Sequence, residues 1–214
     1  MTIDLHVHTK FGSSCSYMRP QEMAKKAKQL GLDAVCITEH DVSWAAADLD
    51  NLSQEHEILV LGGVEVSTDL GHVLVYGVYQ PIWSVSRAEE LRRLVDQHGG
   101  AMIAAHPFRV DRFSPDREVQ LAEYCSRPIF QLVDAAEVFN GRSTTKEIDF
   151  GCEVLCRLKL RGVGGSDAHA VHTIGETVTV FERPIANNSE LISELKAGRF
   201  KALHRVLNRS FEGG

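Results

Sequence analysis

Short apolar runs alternate with longer amphipathic segments along most of the chain. The apolar runs predict buried strands at residues 3–7, 34–38, 58–66, 72–79, 101–105, 135–139, 162–165 and 177–181. Amphipathic spacing predicts helices between several of them, at residues 20–30, 86–98, 142–161 and 188–198. This alternation of strand and helix predicts an α/β fold with parallel strands and the helices packed outside them.

The number of strands relative to the chain length narrows the architecture. Seven or eight strands in 214 residues fit a closed or nearly closed barrel, whereas a full eight-unit barrel typically needs about 250 residues. We therefore expect a distorted, TIM-like (β/α)7-type barrel that forms a single domain over residues 1–214. A doubly wound open sheet is the alternative, because periodicity alone does not separate the two.

Composition and charge exclude several classes of protein. Hydrophobic residues make up 43% of the chain and charged residues 24%, which excludes a disordered or fibrous protein. The formal net charge of −6 argues against duplex binding, so we expect no stable nucleic-acid partner. We find no candidate membrane span, signal peptide or CxxC pair, and expect a reduced, cytoplasmic protein. The basic segment 196–214 is interpreted as a solvated tail, and the oligomeric state stays open.

Histidine is in clear excess, with ten in the chain. Six histidines and two carboxylates fall at predicted strand boundaries: His6, His8, His40, Glu65, His72, His106, Asp167 and His169. In α/β barrels and open α/β sheets, functional sites are built at the carboxyl ends of the strands. We therefore expect these eight side chains to meet on one face of the fold. Of the other four histidines, those at 56, 98 and 204 are interpreted as structural, and His172 is ambiguous.

Spacing and donor chemistry predict a metal site. Residues i and i+2 of a strand point to the same side, so His6 and His8 can bind one ion. Asp167 and His169 repeat this spacing. Imidazole together with carboxylate suits zinc, manganese or iron, whereas calcium and magnesium prefer oxygen donors alone. Eight donors exceed the roughly three or four that one ion takes from a protein, so we expect two or three divalent ions.

The order of these residues resembles the PHP (polymerase and histidinol phosphatase) family of metal-dependent phosphoesterases. The resemblance rests on His6-Val7-His8-Thr9, Thr38-Glu39-His40-Asp41, Gly63-Val64-Glu65, Gly71-His72, Ala105-His106-Pro107 and Ser166-Asp167-Ala168-His169. It implies a distorted barrel with ligands in three sets. These are His6, His8, Glu65 and Asp167 for one ion, Glu65, His72 and His106 for a second, and His40 and His169 for a third.

One segment departs from the pattern of many members of that family. They carry a further acidic or histidine ligand shortly after the HxH motif, where this chain has Ser13, Ser14 and Cys15. One of these residues, or water, would take that place. Glu39 and Asp41 flank His40 and could each ligate or orient it.

The expected reaction is hydrolysis of a phosphate ester, a small phosphomonoester or a nucleotide, by a hydroxide that bridges two ions. Candidates for the general acid that protonates the leaving group are Asp41, His169 and His172. Candidates for binding the substrate are Lys10, Arg109, Asn140 and Arg142, of which Asn140 could instead cap a helix. The alternatives are a metal-dependent hydrolase of C–N bonds, a phosphodiesterase of short oligonucleotides, and a metal-binding module without turnover.

Overall fold

The computed structural model describes residues 1–79, 82, 85–110 and 112–213. The described residues form ten strands: β1 (Thr2–Val7), β2 (Ala34–His40), β3 (Leu59–Thr68), β4 (Gly71–Tyr76), β5 (Ala101–Ala104), β6 (Ala135–Asn140), β7 (Gly162–Gly165), β8 (Thr177–Phe181), β9 (Phe200–His204) and β10 (Arg209–Phe211). They also form seven α-helices: α1 (Pro20–Gln29), α2 (Ala46–His56), α3 (Ala88–Gln97), α4 (Arg117–Cys125), α5 (Ile129–Leu132), α6 (Thr145–Leu158) and α7 (Asn188–Ala197).

All ten strands belong to one sheet in the order β10-β9-β8-β1-β2-β3-β4-β5-β6-β7. The strands β1, β2 and β3 are parallel to one another, and so are β5, β6 and β7. The end of β1 meets the segment that follows β7, where Asp167 N donates to His6 O at 2.8 Å and His8 N donates to Ala168 O at 3.0 Å. The sheet is therefore a nearly closed barrel, which confirms the predicted fold class.

The barrel is distorted because its strands are not all parallel. Strands β3 and β4 form an antiparallel hairpin across Asp69 and Leu70, and β4 is also antiparallel to β5. The prediction of parallel strands is wrong here, since a two-residue connection leaves no room for the crossover that parallel strands need. The strands β8 and β9 also run antiparallel to their neighbours.

The basic C-terminal segment is part of the sheet. Strand β9 pairs with β8 along its length, and β10 pairs with β9. Phe200 and Ala202 are buried while Lys201 is exposed, which is the period of a half-buried strand. The interpretation of residues 196–214 as a solvated tail is therefore wrong.

Local sequence explains where several helices begin and end. Helix α1 begins at Pro20, whose fixed φ suits a first helical position, and ends before Gly31, which has a φ of +71°. Thr144 caps α6 together with Glu147 in a reciprocal capping box. Helices α3 and α6 are shorter than predicted. Helices α2, α4 and α5 were not predicted, and the buried residues of α2 are Leu49 and Leu52.

Apolar side chains fill the barrel and hold the strand ends in place. Leu5 of β1 packs in one buried cluster with Leu74 and Tyr76 of β4, and the Tyr76 hydroxyl donates to Leu5 O at 2.6 Å. On the other face of β1, the buried Asp4 carboxylate accepts the N–H groups of Ser166 and Gly175, each at 2.9 Å. Burial raises the pKa of Asp4 to about 6. Within the described residues, no helix combines the length and the apolar character needed to cross a membrane.

Candidate metal centre

The carboxyl end of β1 supplies the two innermost histidines. His6 and His8 lie on either side of Val7, so their imidazoles share one face of the strand, and both residues are fully buried. The backbone bonds between β1 and the segment after β7 bring Asp167 beside them. Asp167 Oδ1 lies 3.6 Å from His6 Nε2 and 3.4 Å from His8 Nε2. These three predicted site residues therefore lie together.

Glu65, near the carboxyl end of β3, is the centre of the cluster. Its Oε2 lies 3.2 Å from His8 Nε2 and 3.1 Å from His40 Nδ1. Its Oε1 lies 3.1 Å from His72 Nδ1 and 3.0 Å from His106 Nε2. The side chain is only 2% exposed. Its two oxygens thus face different pairs of imidazoles.

Chain direction explains how His72 reaches this edge of the sheet. The register pairs His40 at the end of β2 with Glu65 of β3. Because β4 is antiparallel to β3, Ser67 pairs with His72 and the start of β4 lies beside the end of β3. His106 follows β5 and meets the same carboxylate. A residue at the start of one strand thus joins residues at the ends of others.

The candidate donors form three groups, two of which share His8, and within each group the ligand atoms lie within 4.8 Å of one another. The groups are His6, His8 and Asp167, then Glu65, His72 and His106, and finally His8, His40 and His169. Between the first two residues, His6 Nε2 and His8 Nε2 are 2.9 Å apart. Imidazole nitrogens and carboxylate oxygens directed at shared points are the donors that zinc, manganese or iron takes. The side chains present therefore fit divalent ions.

Glu137 of β6 is a site residue that sequence reasoning missed. Its Oε1 lies 3.0 Å from His6 Nδ1, and its Oε2 accepts the His106 N–H at 2.8 Å. The residue is 1% exposed. A signal was present in the sequence, because an acidic residue inside an apolar strand is rarely buried without a partner.

Glu39 organises the loop that follows the HxH motif. Its carboxylate accepts the Thr9 N–H at 3.0 Å, the Thr9 hydroxyl, and the Ser13 hydroxyl at 2.6 Å. Ser13 is buried, and its Oγ lies 3.0 Å from His8 Nδ1. Glu39 thus contacts the loop and the Trp44 indole N–H, at 3.3 Å, rather than the His40 ring.

The three residues considered for the additional ligand position lie in different surroundings. Ser13 faces the Nδ1 side of His8, away from the donor cluster. Ser14 is exposed. Cys15 is also exposed, and its Sγ lies 3.4 Å from His40 Nε2.

Opposite charges shift the pKa values of the inner cluster, which is formed by His6, His8, Glu65 and Asp167. Burial opposes protonation of His6, but Glu137, Glu65 and Asp167 outweigh it and hold the His6 pKa well above its ordinary value. Burial would raise the pKa of Asp167, but His6 and Arg109 hold it well below its usual range. The pKa of Glu65 is lowered in the same way, chiefly by His6. Cation binding to such a cluster displaces protons.

Arg109 is the predicted substrate-binding residue that lies beside the inner cluster. Its Nη2 donates to Asp167 Oδ2 and, at 2.7 Å, to Asn140 Oδ1. Asn140 is buried, donates Nδ2 to Glu137 Oε2 at 3.0 Å and accepts the Arg142 N–H at 3.1 Å. The amide of Asn140 therefore holds its neighbours in place.

Two cavities open beside the donors. The first, of about 510 Å³, has His72, His106 and Arg109 in its wall. The second, of about 310 Å³, has Arg142 and His169 in its wall. A ligand in either cavity would lie against the donor groups.

Three other predicted residues lie further from the inner cluster. Lys10 is exposed and lines a separate cavity of about 600 Å³ with Phe11 and Trp44. His172 is exposed in a 3-10 turn. Asp41 follows β2 at the rim, where its N–H donates to Glu65 O at 2.9 Å.

Three of the six non-glycine residues with positive φ in the described part of the chain lie at the site. Asp41, His106 and Asp167 have φ values of 57°, 34° and 52°. Such conformations are uncommon outside glycine and cost on the order of 1–3 kcal/mol each. The His106 N–H is held by Glu137, and the Asp167 N–H by His6 O. Strain that is held by surrounding hydrogen bonds is typical of functional sites.

Comparison with protein families agrees with this arrangement. The family described as PHP domain matches residues 4–136, and the one described as PHP-associated matches residues 151–200. An uncharacterized protein of Methanocaldococcus jannaschii is 28% identical over 151 residues, which cover 66% of this chain and 82% of that protein.

Solved structures share the fold. One is a two-domain protein of Bacteroides vulgatus that contains a predicted PHP-like metal-dependent phosphoesterase. It is 19% identical with a TM-score of 0.65, and the match covers 94% of this chain but 64% of that protein. Another is an amidohydrolase of Chromobacterium violaceum with bound sulfate. It is 18% identical with a TM-score of 0.59, and the match covers 92% of this chain and 96% of that one.

Proposed function

The chain belongs to the PHP domain family, and on this premise we propose that it is a metal-dependent phosphoesterase that hydrolyses a small phosphomonoester. The observation that carries the proposal is the Glu65 carboxylate. Its two oxygens face separate imidazole groups at 3.0–3.2 Å, as a carboxylate shared between two ions would. Arg109, beside the same cluster, supplies the positive charge that a phosphate needs.

We assign the eight predicted donors to two or three ions. The first would be held by His6, His8, Glu65 and Asp167, the second by Glu65, His72 and His106, and the third by His40 and His169. The 4.8 Å groups support this division in part, because His6, His8 and Asp167 form one group, Glu65, His72 and His106 another, and His8 joins His40 and His169 in the third. Divalent ions bound there would lower the pKa of water and stabilise negative charge on phosphate oxygens.

The cavity beside Arg109 supports a small substrate. Its volume of about 510 Å³ lies within the range of small-molecule sites, roughly 300–1,000 Å³. His72 and His106 lie at the polar side of this cavity, while Leu70, Pro128 and Ile129 provide apolar wall. We propose that the phosphate group lies against Arg109 and that the leaving group occupies this cavity.

Proton donation to the leaving group is assigned to Asp41 or His172 rather than to His169. Burial, together with the charges of His8 and Arg142, lowers the pKa of His169, which disfavours the protonated ring that a general acid needs. A neutral ring whose Nδ1 donates to Asp167 O at 2.9 Å leaves Nε2 free to bind a cation. The pH–rate profiles of Asp41→Asn and His172→Gln identify the acid, because only loss of the acid removes the basic limb.

A hydrolase of C–N bonds is the second candidate function. The structural neighbour from Chromobacterium violaceum is described as an amidohydrolase. The donor cluster alone suits either reaction, since both require an activated water. Arg109 beside Asp167 favours the phosphate ester, because a neutral amide has no charge for a guanidinium to meet.

The experiment that tests the proposed function combines metal analysis with a phosphate-release screen. The substrates are nucleoside mono- and bisphosphates, histidinol phosphate, phosphotyrosine peptides and a set of amides. We expect phosphate release from at least one monoester, and loss of both bound metal and activity in His6→Ala and Asp167→Ala. Phosphate release that is unchanged in these folded variants, or hydrolysis of amides alone, would contradict the proposal.

A further inference from the structure

We propose that two buried glutamates outside the donor groups act as positioning residues for the HxH motif. Glu137 fixes the His6 ring directly, and Glu39 fixes the His8 ring through the Ser13 hydroxyl. This inference rests on the metal centre of the proposed function. It concerns which ring nitrogen carries the proton, and it is therefore testable without a substrate.

The His6 ring has one arrangement that satisfies its partner. A carboxylate accepts hydrogen bonds and does not donate them, so the 3.0 Å contact between Glu137 Oε1 and His6 Nδ1 requires a proton on Nδ1. The other oxygen, Oε2, accepts from the His106 N–H and the Asn140 amide at 2.8 and 3.0 Å. Glu137 is thus held from both sides, and Nε2 is left as the His6 atom that would bind a cation beside Asp167 and Glu65, once the cation has displaced any proton there.

The His8 ring is fixed by counting the protons of Ser13. A serine hydroxyl has one proton, and the 2.6 Å contact with Glu39 Oε2 uses it, because that carboxylate only accepts. The contact of 3.0 Å between Ser13 Oγ and His8 Nδ1 must then be donated by His8. Consequently His8 also carries a proton on Nδ1, which leaves Nε2 as the atom that would bind a cation.

Close packing keeps the Glu39 carboxylate in place. Glu39 is fully buried and also accepts the Thr9 N–H. A Cβ added at Gly12 would lie 2.8 Å from both Glu39 Cβ and Cγ, so the loop approaches this side chain as closely as a glycine allows. Close packing and hydrogen bonds therefore hold the Glu39 end of the relay through Ser13 in place.

The two positioning contacts make separable predictions in zinc-loaded protein labelled with ¹⁵N-histidine. In the unmodified chain, His6 and His8 should both show a slowly exchanging Nδ1 proton. We expect Ser13→Ala to abolish the protection of the His8 proton, leave that of His6, and weaken zinc binding about 10–100-fold. Glu137→Gln should abolish the protection of the His6 proton and leave that of His8, with a similar loss of zinc affinity. Ser13→Thr, which keeps the hydroxyl, should retain both proton signals.

Matched controls exclude a general effect on the fold. Ser14→Ala changes an exposed serine in the same loop and should leave the proton signals and zinc affinity unchanged. If Ser13→Ala does not fold, Glu39→Gln tests the same relay with an isosteric side chain. Unchanged zinc affinity and His8 proton exchange in a folded Ser13→Ala or Glu39→Gln protein would overturn the inference. Its failure is distinct from failure of the proposed function, which would appear as tight zinc binding without phosphate release.

Discussion

The inner and outer halves of the donor cluster differ in what holds them. In the inner half, His6 and His8 are fully buried and each ring has a hydrogen-bond partner at Nδ1. In the outer half, the side chains of His40 and His72 are 36% and 41% exposed, and both contact the Glu65 carboxylate directly. The fold fixes the His6 and His8 rings, whereas the positions of the His40 and His72 rings depend on their contacts with Glu65.

This difference in burial and hydrogen bonding shows which part of the site is preorganised. Buried polar groups must be satisfied by the protein, so their positions are decided when the chain folds. Exposed rings can turn toward water and need a shared ligand to be ordered. We therefore expect substitutions in the inner half to affect folding and metal binding together, and those in the outer half to affect metal binding alone.

The largest effect is expected at the residue that joins the two halves. Glu65→Gln removes the charge shared by both groups, and kcat/KM should fall at least about 10³-fold, equivalent to about 4 kcal/mol of transition-state stabilisation. His72→Gln removes one outer donor and should cost about tenfold, with normal thermal stability. Metal content and steady-state kinetics measure both. Equal losses of kcat/KM in the two variants would contradict the distinction between the central Glu65 and the outer histidines.

Packing behind the inner half should give the next largest effect. A Cβ at Gly165 would lie 2.6 Å from His6 Cβ and would also overlap Glu137 Oε1. Gly165→Ala should therefore lower the free energy of unfolding by about 1–3 kcal/mol. Urea denaturation measures this loss, and zinc titration should show weaker binding.

Gly31→Ala is the matched control for that substitution. Gly31 has a φ of +71° with nothing within 4 Å of an added Cβ, so its cost is backbone strain alone, about 1–2 kcal/mol. Zinc affinity should stay unchanged in this variant. If both variants bind zinc normally, the inner half tolerates displacement and is not preorganised.

The smallest predicted effect is the dependence of metal affinity on pH. Glu137, Glu65 and Asp167 hold the pKa of His6 well above its ordinary value, so near pH 7 a cation must displace a proton there. Zinc affinity should fall as pH decreases, by about tenfold per pH unit for each displaced proton. The affinity should become independent of pH once the pH exceeds the His6 pKa. Calorimetry in buffers of different ionisation enthalpy counts the protons, and binding without proton release would contradict the expected charge state.

Part of the fold was predictable because it depends on short-range pattern. Apolar runs located eight strands, and Pro20 with Gly31 bounded the first helix. The antiparallel β4 was not predictable by periodicity, because alternation does not encode chain direction. Strand β9 was missed because the exposed Lys201 lies between the buried Phe200 and Ala202, and the net charge of residues 196–214 does not show that alternation.

The candidate site also contains residues that the sequence predicts and residues whose roles it does not predict. The donors were recognisable because histidine and acidic residues at strand ends have few structural uses. The roles of Glu137 and Ser13 were not predictable, since they depend on contacts across 131 and 5 residues of sequence that only the folded barrel makes. Asn140 and Lys10 show that a position after a strand does not by itself decide where a side chain lies. Both follow strands as substrate-binding residues do, yet one is buried against Glu137 and Arg109 and the other lines a separate cavity.

The sequence by itself determined the fold class, the family and the kinds of donor available, because strand period, motif order and side-chain chemistry are local properties. Only the tertiary structure decided which donors share an oxygen of Glu65, which rings are fixed from behind, and which charges lie beside the cavity. These are distances between residues far apart along the chain. They are set by the closure of the barrel between β1 and the segment after β7, where the Asp167 and His8 N–H groups find their acceptors.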